Sequence, residues 1–133
     1  MKPFALLLAL IVAASARAAS PDAVATKEIS YLIEHLASSG CQFNRNGTWY
    51  EAPRAVSHIK RKYEYLLDKG LVADTDAFIR LAATESSSSG KPYLVKCHNQ
   101  PETPSADWFR AALAQFRASG AANARGLSPT NRS

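Results

Sequence analysis

The chain has 133 residues, 47% hydrophobic and 20% charged, with a formal net charge of +5. That length makes one small domain with a single modest core and argues against a multidomain architecture. Two of the basic residues, Lys2 and Arg17, fall in an N-terminal leader, and without residues 1–18 the charge drops to +3; a concentrated basic face of the kind that holds nucleic acid is therefore not expected.

Met1 and Lys2 give a positive start, Phe4 to Ala14 is an uncharged apolar run, and Ala16-Arg17-Ala18 supplies small residues for cleavage. This is the pattern of a signal peptide over residues 1–18, with the mature chain starting near Ala19 and exported to the periplasm. The run is shorter than the roughly 20 residues a spanning helix needs, and no second run of that length follows, so no transmembrane segment is expected in the mature chain. In an oxidising compartment the only two cysteines, Cys41 and Cys97, are expected to form a disulfide. No paired Cys or His spacing suits a metal, and no cofactor is expected.

From Pro21 to Ser38 the residues Ala25, Ile29, Leu32, Ile33 and Leu36 make one apolar stripe, a first helix closed by Gly40. Cys41 to Tyr50 alternates around Asn46-Gly47, a dipeptide suited to a tight hairpin turn. Pro53 opens a second helix with Ala55, Val56, Ile59, Tyr63, Leu66 and Leu67 at helical spacing, ended by Gly70. A third helix is capped by Asp74 or Thr75 and buries Phe78, Ile79, Ala82 and Ala83. Tyr93 to Cys97 is β-prone, and residues 101–105 lead into a fourth helix carrying Trp108, Phe109, Ala112, Leu113 and Phe116. Residues 118–133 lack an apolar period and are expected to be disordered. The fold class is α+β, mainly helical: about four helices, a small hairpin or strand element and one disulfide, in a single domain over 19–117.

The stretch TESSSSGKPYLV at 84–95 invites three chemical readings. A phosphate-cradling loop fails, because Glu85 stands where its first glycine belongs, Pro92 follows Lys91 in place of Ser or Thr, and no helix follows. Ser88 to Lys91 matches a nucleophile motif that requires a helix, which Gly90-Lys91-Pro92 discourages. Ser89-Gly90-x-x-Tyr93 matches a loop of periplasmic lysozyme inhibitors, although those are β-barrels. The remaining reading is a turn whose hydroxyls satisfy local backbone groups.

On the second helix His58 and Lys62 are four apart and share a face, at the edge of the apolar stripe, with Tyr65 and Lys69 continuing the row. Arg45 and Asn46, at the tip of the preceding turn, can add a guanidinium fork and an amide to the same place. Taken together, Ser39-Gly40-Cys41, Phe43, Arg45-Asn46-Gly47, Trp49-Tyr50, Ala55, His58, Lys62-Tyr63, Phe78-Ile79, Ser86-Ser87, Ser89-Gly90, Pro92-Tyr93, Cys97, Ser105 and Trp108 resemble a family of exported bacterial proteins over about residues 28–117. That family is the domain of unknown function numbered fifty-three twenty-nine. The resemblance implies a small exported protein whose pattern includes both cysteines, and it supplies no catalytic residue.

The reading that results is a non-catalytic binding or interaction module with a polar, mildly cationic site at Arg45, Asn46, His58, Lys62, Ser86, Ser89, Gly90 and Tyr93. A small anionic ligand, a peptide or an envelope protein would be its partner. Two alternatives stand beside it: a small envelope hydrolase using Ser86 or Ser89 with His58, and a lysozyme-inhibitor-like protein acting through the Ser89 to Tyr93 loop.

Overall fold

The computed structural model describes residues 18–126. The expected signal peptide lies almost wholly outside these residues, as does the end of the tail from 127 onward. Four helices and four short strands follow one another as α1 (Ala23–Ser38), β1 (Gln42–Arg45), β2 (Thr48–Glu51), α2 (Ala52–Asp68), α3 (Thr75–Ala82), β3 (Leu94–Lys96), β4 (Thr103–Pro104) and α4 (Ser105–Gly126). The class is α+β and mainly helical, as the apolar periods predict.

Helix boundaries follow from local chemistry. The Asp22 carboxylate accepts from the Ala25 amide at 2.8 Å, and the Asp74 carboxylate accepts from the Ala77 amide at 2.8 Å, so one of the free amides at each N-terminus is satisfied in the same way. The chain leaves α2 through Gly70 at φ +66°, and a Cβ there would meet Ala18. Between β1 and β2, Asn46 and Gly47 both take positive φ, 51° and 82°, which makes the two-residue turn that tight antiparallel strands favour.

The sheet is antiparallel throughout with spatial order β2-β1-β3-β4. It is open at both edges, unlike the barrel of the lysozyme inhibitors. Phe43 pairs with Tyr50 on one side and Val95 on the other, and strand alternation sends this row toward the helices. Phe43 and Val95 are buried there with Ile29, Leu32 and Leu36 of α1, Ala55 and Ile59 of α2, Phe78 and Ile79 of α3, and Phe109 of α4. These residues form one core, and each helix contributes the stripe read from its sequence.

Cys41 and Cys97 are bonded, just beyond the pair Gln42 and Lys96 at one end of the β1–β3 ladder. A bond between the start of the 41–50 segment and the end of the 93–97 strand could itself draw the Arg45 turn and the serine loop together. The two do meet, but at the opposite end of the ladder, four residues and roughly 13 Å from the sulfurs at about 3.3 Å per residue. Strand register brings them together, and the disulfide anchors the far end.

Two stretches depart from expectation. Residues 101–105 were read as a lead-in to a helix, yet Thr103 and Pro104 pair with Val95 and Leu94 as the edge strand β4. Proline is tolerated there because an edge strand leaves one side of its ladder open. The tail was expected to be disordered from 118, whereas α4 continues to Gly126 with every residue from Arg117 onward exposed. Four alanines between 118 and 124 favour helix by backbone propensity alone, so this segment is helical without an apolar stripe and adds nothing to the core.

Candidate functional site

β1 ends at Arg45, and continuing its register with β3 sets Arg45 opposite Tyr93. Both then lie on the helix-facing side with Phe43 and Val95, where the next layer is α2. The Tyr93 ring is buried, 4.9 Å from the Phe43 ring and edge-on to His58. Its hydroxyl lies 2.9 Å from His58 Nε2 and 3.2 Å from Lys62 Nζ. The Lys62 ammonium donates to the carbonyl of Glu85 at 2.8 Å and sits 5.0 Å from the centre of the Tyr93 ring.

Donor counting orders this group. An ammonium can only donate, so Lys62 gives a hydrogen bond to the Tyr93 hydroxyl, whose single proton is then free for His58 Nε2. Neutral His58 with its proton on Nδ1 satisfies that chain. Burial and the nearby charges of Arg45, Lys62 and Arg61 hold the imidazole pKa down to about 4, so it is neutral near pH 7. Burial also lowers the pKa of Lys62, with Arg45 acting in the same direction and Glu85 opposing. Tyr93 is raised by burial, while the Arg45 guanidinium pulls it back. A phenol pushed upward stays protonated, which suits a positioning role better than that of a nucleophile.

The serine stretch forms a closed turn. Ser86 N–H donates to the Lys91 carbonyl and Gly90 N–H to the Ser86 carbonyl, at 3.0 and 2.9 Å, and Glu85 bridges Pro92. Gly90 takes φ +70° to close it. Asn46 docks on this turn with both ends of its amide: Nδ2 donates to Ser86 Oγ at 3.2 Å, and Oδ1 accepts from Ser89 Oγ. Ser86 Oγ also meets Ser88 Oγ at 3.0 Å. Ser86 is buried, and neither Ser86 nor Ser89 hydrogen-bonds His58, whose Nε2 belongs to Tyr93. This arrangement gives the hydrolase reading no activated serine.

Beside the cluster is a cleft of about 350 Å³ lined by Arg45, His58, Arg61, Lys62, Tyr65, Leu66, Leu81 and Ser87. A smaller hollow of about 50 Å³, between Tyr50 and α2, shares Arg45, His58 and Arg61 with it. Arg45 Nε is buried without a hydrogen-bond partner among the described residues. The ion pairs among those residues are Arg110–Asp107 and Arg117–Glu28, so Arg45, Arg61 and Lys62 face the cleft with no carboxylate bonded to them. Glu85 is the acidic group whose charge reaches Lys62 and Tyr93.

Of the residues singled out in the sequence, Arg45, His58 and Lys62 line the cleft, and Tyr93 is buried behind it, bonded to His58 and Lys62. Asn46, Ser86, Ser89 and Gly90 instead build the turn that supports its rim. The sequence puts Tyr65 on the row of His58 and Lys62 without assigning it to the site, and Arg61 and Leu81 were missed. Arg61 follows His58 by three positions on α2, and the helical period that joined His58 to Lys62 would have found it. Among the described residues, no helix is long and apolar enough to cross a membrane and no cluster of potential ligands for a metal ion occurs.

The chain belongs to the family of unknown function DUF5329, whose match covers residues 23–117. No curated protein and no solved structure matches it.

Proposed function

We propose that this family member is a non-catalytic anion-binding module of the cell envelope, with the cleft between the β1 tip and α2 as its site. The observation that carries the reading is the convergence of Arg45, Arg61 and Lys62 on one concavity with no carboxylate paired to them among the described residues. Like charges held together repel, and an orphaned buried guanidinium N–H costs free energy that an incoming anion would recover. Neutral His58 and protonated Tyr93 add polarity without adding charge, and their mutual hydrogen bond fixes Lys62 in place.

Support for the compartment comes from the N-terminal apolar run together with the disulfide, which persists where thiols are oxidised. The binding role is favoured over hydrolysis by the serine hydroxyls' bonding to Asn46 and to each other. Calorimetric titration of the purified protein with sodium acetate and with inorganic phosphate, at low ionic strength, tests the reading. Dissociation constants of roughly 1 mM or tighter are expected, weakening as salt is raised. Replacing both Arg45 and Lys62 by alanine should abolish the heat while leaving the melting temperature nearly unchanged. Absence of heat from either anion with the wild-type protein would overturn the proposal.

A further inference from the structure

The lining of the cleft is graded along α2. His58, Arg61 and Lys62 lie at one end with Arg45 opposite them, and Tyr65 and Leu66 lie one turn further on, facing Leu81 of α3. From His58 to Leu66 is eight residues, about 12 Å at 1.5 Å per residue. Cations therefore line the first half of the cleft and carbon the second. Tyr65 is 61% exposed, and the Lys69 ammonium lies 5.6 Å from its centre.

Resting on the anion-binding reading above, we infer that the ligand is an amphiphilic monocarboxylate: a carboxylate held by Arg45, Arg61 and Lys62, followed by an unbranched apolar chain lying against Tyr65, Leu66 and Leu81. A purely inorganic anion would use the cationic half and leave the apolar half wet. Size sets the chain. A cleft of about 350 Å³ is at the small end of the range of ligand sites, which suits a medium-length chain such as an eight-carbon fatty acid. Its extended length also matches the run from the Arg45 end to Leu66. A single carboxylate suits the charge balance, since Glu85 offsets part of the three cations.

The test compares octanoate, acetate and octylamine, each titrated into the purified protein below its aggregation concentration, with Tyr65→Ala as the variant. Tyr65 is exposed, so this change should leave the fold intact, as its circular dichroism and melting temperature would verify. Octanoate is expected to bind at least tenfold more tightly than acetate, octylamine is expected not to bind, and Tyr65→Ala should lose most of the tenfold preference while keeping its acetate affinity. Equal affinity for acetate and octanoate would overturn the amphiphile inference and leave the anion site standing. Octylamine binding as well as octanoate would overturn both, as would failure of acetate and octanoate alike. A Tyr65→Ala protein that keeps the full preference would show that the chain lies elsewhere, and the inference fails on that outcome too.

Discussion

Arg117 and Arg45 are both guanidinium groups at the margin of the core, and they sit in opposite electrostatic situations. Arg117, near the end of the family-matched region, donates two hydrogen bonds to the buried Glu28 carboxylate, which also accepts from Thr75 Oγ1 at 2.7 Å. That network links α1, α3 and α4, and the fork holds Glu28 ionised with its pKa below the usual carboxylate range. Arg45 has Arg61 and Lys62 for neighbours and, among the described residues, a buried Nε without a partner and no carboxylate bonded to it. One cationic group completes a structural joint, and the other leaves a valence open. The contrast separates a charge that holds the fold from charges that the fold holds for something else.

The largest effect should come from the disulfide, which belongs to neither region. Replacing Cys41 and Cys97 by alanine should cost up to about 4 kcal/mol in the chain-entropy account, read as a lower denaturant midpoint. Because the sulfurs lie at the far end of the ladder from Arg45, acetate affinity should survive in whatever fraction remains folded. Loss of affinity in a folded variant would mean that the staple, and not strand register, positions the cleft. Arg117→Ala comes next, at about 2 kcal/mol: it strands a buried carboxylate, with the loss tempered because the guanidinium itself is largely exposed. Its pH signature has a definite sign. Glu28 has a folded pKa below its unfolded value, so its contribution is present above pH 4.5 and is lost as pH falls through the folded value. The variant should lack that part of the acid limb while binding anions normally, whereas weaker binding would erase the distinction between the two arginines.

Much of the fold was legible, and less of the site and of the Glu28 joint. The helical stripes, the cap at Asp74, the Asn46-Gly47 turn and the cysteine pair all depend on residues close in sequence or on the compartment, and periodicity and turn chemistry capture them. The meeting of Arg45 with Tyr93 depends on β1–β3 register, a long-range pairing that no local pattern fixes. Arg61 was passed over because a basic residue on an outer helix face ordinarily reads as solvated surface. The edge strand β4 was hidden by its proline, and the helical end of α4 by the lack of a stripe, since only the propensity of its alanines supports it. Glu28 falls on the apolar face of α1 by its spacing from Leu32 and Leu36, yet its partner stands 89 positions away.

His58 sharpens the comparison through a pH dependence whose range differs from that of Glu28. Its folded pKa, about 4, is below the unfolded 6.5. Between these values the unfolded chain binds more protons than the folded one, so stability is complete above about pH 6.5 and declines as pH falls toward 4. After allowance for the partial exposure of the ring, the decline should be roughly 1–2 kcal/mol. His58→Gln, whose amide can still meet the Tyr93 hydroxyl, should flatten the stability profile over pH 4–6.5 and keep the loss at lower pH that Glu28 causes. An unchanged profile would remove the imidazole from the cluster's electrostatics.

The smallest stability effect should belong to the cluster's own cations, although it is the one that decides between the two regions. Lys62→Met keeps the alkyl stem and removes the charge. It gives up the bonds to Tyr93 and the Glu85 carbonyl but relieves repulsion from Arg45, which already depresses the Lys62 pKa. These opposing terms should leave the denaturant midpoint within about 0.5 kcal/mol of wild type. Acetate affinity, by contrast, should fall about tenfold, equivalent to about 1.4 kcal/mol. A joint weakens the fold when its cation is removed; a site weakens only its ligand. If Lys62→Met lowered the midpoint as far as Arg117→Ala and left acetate binding untouched, the Arg45 cluster would be a second structural joint.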